Sequence, residues 1–151
     1  MRINYTTYDV HRAQDTINTN TSKQDLLVLS CESDSNSAIP FLYARVLGIF
    51  HVNTICIGGS KPDYNPVHLD FLWVKWFETL SPGSWKFHEL EHIAFLPMAD
   101  KEAFGFLDPS SVVRACHLSP SFAQGPQYSD SQCLSTCTHD SHDYCQYFVG
   151  R

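Results

Sequence analysis

The chain has 151 residues, of which 43% are hydrophobic and 13% aromatic, enough for one packed core and too few for two ordinary domains. Ten Lys and Arg residues against sixteen Asp and Glu residues give a formal net charge of −6, and the scattered basic residues argue against electrostatic binding of nucleic acid. No uncharged apolar run approaches the roughly 20 residues of a membrane helix, and the amino-terminal residues do not resemble a signal peptide. We therefore expect an intracellular domain with reduced cysteines.

The amino-terminal segment, residues 1–39, is expected to hold short strands between polar loops. β-branched and aromatic residues at 3–10 predict a first strand, and the apolar run 26–29 predicts a short buried strand. The Ser- and Asn-rich stretch 30–37 is typical of a mobile loop.

Two longer strands follow. Residues 41–52 have apolar residues or Gly at the even positions, the period of a half-buried strand, and Gly48 in the middle predicts a bulge or bend. Residues 68–78 carry large apolar side chains on both faces, which predicts a central strand that is covered on both sides.

The carboxyl-terminal third reads as one short helix, one more strand and a polar tail. Asp108 as an N-cap and Pro109 at the first helical position predict the helix, with Val112 and Val113 buried. Residues 117–122 predict a last barrel strand, and residues 144–149 predict a strand without an assigned partner. The fold is thus expected to be mostly β, a small barrel over residues 40–122, with one short helix and an irregular tail at 123–151 that is polar, rich in Cys and His, and open to disorder.

The middle of the chain resembles the bromo-adjacent homology (BAH) domain, a β-barrel module of chromatin proteins. Its motifs occur in the same order at 43–50 (YARVLGIF), 72–77 (LWVKWF) and 108–118 (DPSSVVRACHL). The resemblance covers about half of the chain, and it implies a small barrel of SH3-like or BAH-like type.

Nearly the whole chain is similar to a carboxyl-terminal region of transposase-like proteins from mushroom-forming fungi, of the Kyakuja-Dileera-Zisupton and Plavaka groups. The similar segments are 4–10, 43–52, 73–77 and 103–109, and residues 129–143 depart from the pattern. In that family the DNA-cleaving core lies elsewhere in a longer protein. The resemblance implies a non-catalytic accessory domain, and a functionless transposon relic is the alternative.

Aromatic side chains offer a possible binding site. Small chromatin-reader barrels can hold a methylated lysine in a cage of rings, because ring faces attract cations. The alternative is that the rings are core. Tyr43 and Trp73 are the best cage residues, because Arg45 and Lys75 share their strand faces and are expected to lie near water. The predicted cage comprises Tyr43, Trp73, Trp76 and Phe77.

Residues 88–92 (HELEH) match the H-E-x-x-H pattern of zinc hydrolases. On a helix, His88 and His92 would bind the metal and Glu89 would activate water. Nearby Pro and Gly residues leave little room for such a helix, and on a strand Glu89 would point away from both histidines. A zinc hydrolase is therefore kept as the alternative function.

A second group of potential metal ligands lies in the tail, where the ligands are too crowded for the usual spacing of zinc sites. It comprises Cys133, Cys137, His139, His142 and Cys145.

We expect no cofactor and no metal. The predicted function is a non-catalytic protein- or chromatin-interaction module, with a protein or histone-tail peptide as partner, no direct contact with nucleic acid or membrane, and a nuclear location.

Overall fold

Strands dominate the part of the chain that the computed structural model describes, which is residues 1–6, 12–30, 41–57, 63–81, 90–128, 138 and 140–150. In chain order they are β1 (Arg2–Thr6), β2 (Arg12–Thr16), β3 (Asp25–Leu29), β4 (Phe41–Cys56), β5 (Asp63–Ser81), β6 (His92–Phe95), β7 (Phe104–Leu107), β8 (Val112–Ala115), β9 (His117–Pro120) and β10 (Tyr147–Gly150). Three-residue 3₁₀ turns lie at Pro109–Ser111, Phe122–Gln124 and Asp140–His142. Within these described segments, no helix has the length and apolarity needed to cross a membrane. The prediction of a mostly-β fold is confirmed.

Eight of the strands form one sheet in the order β8-β3-β4-β5-β6-β10-β9, and β7 also pairs with β5. All of these pairings are antiparallel, and β1 and β2 form a separate two-stranded hairpin. β5 pairs with β4 along one side and with β6 and β7 along the other. The prediction of a central strand covered on both sides is therefore confirmed for residues 72–77, whereas residues 68–70 are exposed and, among the described residues, pair with β4 alone.

The sheet turns back on itself through the segment that contains its two end strands. β8 and β9 are separated by Cys116 alone, and the Cys116 N–H donates to the carbonyl of Asp25 in β3 at 3.0 Å. One half of this segment pairs with β3 and the other half with β10, so the two halves do not pair with each other. The described strands therefore form a curved antiparallel sheet and not the closed barrel that we expected.

The sheet packs a core against each of its faces, because successive side chains of a strand point in opposite directions. The first core consists of Ile17, Leu26, Val28, Ala44, Val46, Leu72, Val74 and Val112, and Met1 and Ile3 of the β1–β2 hairpin side pack against it. The second core consists of Leu27, Tyr43, Phe77, Ile93, Phe95, Tyr147 and Val149. The strand β3 contributes to both cores. Four successive residues of β3 are buried, and successive side chains point to opposite faces, so both of its faces are covered.

A bulge divides the long hairpin of β4 and β5 into two parts. Val46 pairs with Val74 and Gly48 pairs with Trp73, so Leu47 is the extra residue, and the bulge predicted at Gly48 is confirmed. Before the bulge the hairpin lies inside the cores. After it, residues 47–57 and 63–71 form a two-stranded extension, here called the arm, whose side chains are mostly exposed.

The carboxyl-terminal third differs from expectation in two respects. Asp108 accepts a hydrogen bond from the Ser110 N–H at 2.8 Å and caps a turn that begins with proline, but the turn ends at Ser111 and Val112 begins β8. The predicted helix is thus a single 3₁₀ turn, because Val112 pairs with Val28 of β3 instead of continuing the helix. Val112 is buried as predicted, but Val113 lies at the irregularity of this pairing and is exposed. Residues 147–150, placed in the irregular tail by the sequence, form β10 between β6 and β9, so this strand has partners on both sides.

Candidate functional site

The four aromatic side chains predicted to form a cage are distributed over both faces of the sheet. Tyr43 and Phe77 are buried in the second core. Trp76 packs against the first core on the opposite face, where its Nε1 lies close to Gly105. Trp73 is half-buried near the base of the arm. These four side chains therefore do not surround one site.

One of the predicted residues, Phe77, does lie in a cage, and the cation inside it belongs to the chain itself. The guanidinium carbon of Arg45 lies 5.7 Å from the ring centroid of Phe77, 4.8 Å from that of Phe95 and 5.4 Å from that of Tyr147. All three rings belong to the second core. The attraction between ring faces and a cation is thus used internally, and it holds Arg45 within the fold.

Two buried carboxylates complete the environment of Arg45. Its Nε donates to Asp25 Oδ1 at 2.8 Å, and its Nη1 donates to Asp143 Oδ1. Burial alone would lower the pKa of Arg45, but the two carboxylates raise it above its ordinary value. Burial raises the pKa of Asp25 more than its contact with Arg45 lowers it. The arginine is therefore fully charged, and its removal would leave costly carboxylates behind.

Lys75 extends this arrangement along β5. Its Nζ lies 3.8 Å from the ring centroid of Phe95 and 3.7 Å from Asp143 Oδ2. Burial lowers the pKa of Lys75, and the nearby carboxylates of Asp143 and Asp140 oppose that change. We call Asp25, Arg45, Lys75 and Asp143 the cation cluster.

The positions of the two basic residues correct the sequence interpretation. Arg45 and Lys75 were expected near water, but Arg45 is 7% exposed and Lys75 is 1% exposed. The reason is the contribution of distant partners: Asp143 lies 98 residues from Arg45 in the sequence. The local alternation of β4 and β5 contains no signal for such a partner.

A different set of aromatic side chains is exposed, along one face of β4, β5 and β7. The cross-strand pairs are Phe50 with Phe71 and Trp73 with Phe106, and Phe104 lies two residues before Phe106 on the same face. The rings of Phe50 and Phe71 stack at 5.5 Å, and those of Phe71 and Phe106 meet edge to face at 5.5 Å and 86°. We call this set the aromatic face; it comprises Phe50, Phe71, Trp73, Phe104 and Phe106.

Exposure distinguishes the aromatic face from the two cores. Phe106 is 74% exposed and Phe50 is 46% exposed, while Phe71, Trp73 and Phe104 are half-buried. The apolar side chains of Val52, Val67 and Leu69 continue the same face along the arm, each about half exposed. Contiguous apolar surface of this kind usually marks a binding site. Strand alternation does not reveal which face of a sheet is left uncovered, so the sequence pattern does not single out Phe104 and Phe106 as members of this face.

A cleft of about 630 Å³ lies beside the cation cluster. Its floor contains Asp25, Arg45, Asp143 and Tyr147, and its rim contains the polar turn 19–22 together with His117, Leu118, His142 and Tyr144. Burial raises the pKa of Tyr147 to about 12, and its hydroxyl donates to Asp143 Oδ1 at 3.2 Å. The polar floor groups hydrogen-bond to one another, so the hydrogen-bonding capacity of the floor is largely used within the protein.

The zinc-hydrolase motif falls largely outside the described residues. His88 and Glu89 lie in the undescribed segment 82–89, and His92 lies in β6, where its ring meets the Phe148 ring edge to face at 4.2 Å. In the tail, Cys133, Cys137 and His139 also lie outside the described residues. Among the residues that are described, no three His, Cys, Asp or Glu side chains are grouped to hold a metal ion.

Cys116, between β8 and β9, has the properties of a structural thiol. Burial raises its pKa, and the nearby Asp25 carboxylate acts in the same direction. A thiol is a strong nucleophile only as the thiolate. Cys116 is therefore poorly suited to nucleophilic catalysis.

Comparison of the chain with protein-family models, with curated proteins and with solved structures finds no match.

Proposed function

We propose that the chain is a non-catalytic interaction module that binds a basic protein segment across its aromatic face. The observation that carries the proposal is the exposed row of rings on β4, β5 and β7. Its edge-to-face pair, Phe71 and Phe106, presents two ring faces at nearly a right angle. A cationic side chain placed in that corner would contact both rings.

Charge supports a basic partner. The chain carries a net charge of −6, and the two cations that are buried among the described residues, Arg45 and Lys75, are already paired with carboxylates. Long-range attraction should therefore favour a positively charged segment over an acidic one. Lysine-rich peptides, with or without methylation, combine that charge with side chains that contact aromatic rings well.

The sequence resemblance supports the biological setting. Histone tails are basic segments of this type, and both the bromo-adjacent homology domain and the transposase-like proteins belong to chromatin or DNA biology. On this proposal the chain acts in the nucleus, as an accessory SH3-like or BAH-like module of a transposase-like protein. Catalysis, if the parent protein has it, belongs to another part of that protein.

The proposal is tested by titrating a fluorescent basic peptide that carries trimethyl-lysine, and its unmethylated form, with the purified chain and following polarisation. We expect a dissociation constant of about 10 μM for the methylated peptide, since small interfaces of this kind bind in the micromolar range. Phe106→Ala should weaken binding about fivefold, because one cation–ring contact contributes roughly 1 kcal/mol.

Phe122→Ala is a closely matched control. Phe122 is also 74% exposed, and its ring also meets a neighbour, Tyr144, edge to face at 5.3 Å, but it lies outside the aromatic face. We expect Phe122→Ala to bind the peptide with the same dissociation constant as the unmodified chain. Absence of peptide binding, or equal weakening by the two substitutions, would contradict the proposed function.

A further inference from the structure

Within the part of the chain that the structure describes, the β4 edge of the arm has no strand paired with it. β3 pairs with β4 from Phe41 to Arg45, and the Val46 N–H donates to Gln24 in the segment before β3. Beyond that point, among the described residues, β4 pairs with β5 alone. A two-stranded ribbon of this length is marginally stable by itself in water, so the arm would be stabilised by another strand.

The free edge of β4 lacks the residues that usually protect an exposed strand. Residues 47–56 contain no Pro and no Lys, Arg, Asp or Glu. Charged side chains and proline are the common means of preventing edge-to-edge pairing. The other edge of the arm has both, in Pro66 and Asp70 of β5. The asymmetry indicates that the β4 edge is the one that accepts a partner.

The ladder fixes which backbone groups are available there. The Trp76 N–H donates to the carbonyl of Ala103, on the side of β5 away from β4. N–H and C=O groups alternate between the two sides of a strand. Counting from Trp76, every second residue of β5 therefore directs its backbone groups away from β4, and its cross-strand partner in β4 directs its own groups away from β5, that is, outward. In the arm, the β4 residues concerned are Ile49, His51 and Asn53.

We propose that two copies of the chain pair antiparallel through the 47–56 edge of β4 and form a symmetric dimer. With a two-fold axis near His51, the outward groups of one copy meet the outward groups of the other. No ionised Asp, Glu, Lys or Arg side chain is brought to the contact from residues 47–56, in spite of the net charge of −6 on each copy. The pairing is self-complementary, as a closed two-fold interface requires.

In this dimer, corresponding faces of the two arms lie side by side. Phe50 and Val52 of one copy come beside those of the other, so the aromatic face becomes continuous across the dimer. Ile49 and His51 form the opposite, more polar side. A partner strand shifted by one residue would instead place apolar side chains against polar ones.

The available area sets the expected strength. The exposed apolar residues of the arm part of β4, together with Ile57 directly after it, are 41% to 78% exposed: Ile49, Phe50, Val52, Ile55 and Ile57. They present on the order of 500 Å² per copy, against about 800 Å² per partner in a standard interface. Edge pairing covers part of that surface, so we expect a dissociation constant of about 10 μM.

The test is sedimentation velocity at chain concentrations from about 1 to about 100 μM, a range that brackets the expected constant. The unmodified chain should change from monomer to dimer over this range. His51→Pro removes an outward N–H from the β4 edge without removing a ladder bond to β5. We expect at least tenfold weaker association, with an unchanged far-ultraviolet circular dichroism spectrum.

His68→Pro is the matched control. His68 pairs with Asn53, its ring centroid lies 5.6 Å from that of His51, and its N–H also points outward, but at the β5 edge. A second pair of variants avoids proline: Ile49→Lys at the β4 edge and Leu69→Lys on β5, at positions 43% and 47% exposed. At about 100 μM we expect both β5 variants to be mostly dimeric, like the unmodified chain, and at least about half of each β4 variant to be monomeric.

Two results would overturn the inference: a monomeric unmodified chain at about 100 μM, or equal weakening by substitutions at the two edges. The first result does not depend on whether any variant folds. The dimer also does not depend on the proposed peptide binding. Phe106→Ala should dimerise normally, and failure of the titration would leave the sedimentation result unchanged.

Discussion

Replacement of Arg45 by methionine tests the energetic role of the cation cluster. The substitution keeps an apolar chain of similar length next to Phe95 and removes the guanidinium. Asp25 and Asp143 are each about 5% exposed, so their carboxylates would then remain buried with one fewer partner. Breaking a buried ion pair on one side costs about 3–5 kcal/mol. That cost is a large part of the roughly 5–15 kcal/mol by which native domains are stable.

The assay is urea unfolding followed by tryptophan fluorescence. With a slope of roughly 2 kcal/mol per molar urea for a domain of this size, the Arg45→Met midpoint should fall by about 2 M. Arg114→Met is the control, since Arg114 is half-buried above the Tyr5 ring at 5.3 Å and lies outside the cluster. We expect the control to cost less than about 1 kcal/mol.

The variant should also acquire a pH dependence. Without Arg45, nothing in its place lowers the pKa of Asp25, which burial already raises above 3.8. A carboxyl with a raised pKa in the folded state favours folding while it is protonated, and this advantage disappears as the pH rises. The difference in free energy of unfolding between the unmodified chain and Arg45→Met should therefore increase between about pH 4 and pH 7.

Adding Asp25→Asn and Asp143→Asn to the variant should recover about half of the lost stability, since neutral amides are cheaper to bury than carboxylates. The reasoning is refuted if Arg45→Met costs less than about 1 kcal/mol, or if the triple variant is no more stable than the single one.

Two further predictions concern close contacts and alkaline pH. Gly105→Ala should lower the free energy of unfolding by about 1–3 kcal/mol in urea unfolding, because the new Cβ would approach the packed Trp76 Nε1 to 2.7 Å. Gly48→Ala should lower it by less than about 1 kcal/mol, because its Cβ meets the exposed ring end of Phe50, which can move. Equal losses for the two substitutions would contradict this explanation. Burial raises the pKa of Tyr147 from 10.0 to about 12, so its contribution is fully present below pH 10 and is lost as the pH rises to about 12. The unmodified chain should therefore lose about 2–3 kcal/mol more than Tyr147→Phe between pH 9 and pH 12, and parallel stability curves for the two proteins would exclude this role of Tyr147.

The strands were predictable where local pattern determines them. Alternation located β4, large apolar side chains on both faces located the central part of β5, and Gly48 indicated the bulge, because each of these signals is contained in a short stretch of sequence. Asp108 and Pro109 indicated a capped turn, but not that it would end after Ser111. Whether Val112 continues a helix or begins a strand depends on β3, which lies far away in the sequence.

The candidate site was less predictable for the same physical reason. A charged residue in an alternating strand normally faces water. Arg45 and Lys75 depart from this rule because Asp143, in the segment before β10, pairs with them although it lies far away in the sequence. Once those cations are inside, the rings of Tyr43 and Phe77 become core. The exposed rings are then the ones beyond the bulge, and the bulge itself was the one sequence signal that pointed toward them.

The distance in sequence between Arg45 and its second carboxylate has a consequence for how the protein is made. During synthesis, β3, β4 and β5 emerge early, with Arg45 and Asp25 already able to pair. The second core cannot close until residues 140–150 have been translated, since they supply Asp143 and also β10, which joins β6 to β9. Folds dominated by such distant pairings assemble slowly. We therefore expect the long, apolar hairpin of β4 and β5 to stay partly uncovered until β10 has been made, a state that favours binding by chaperones.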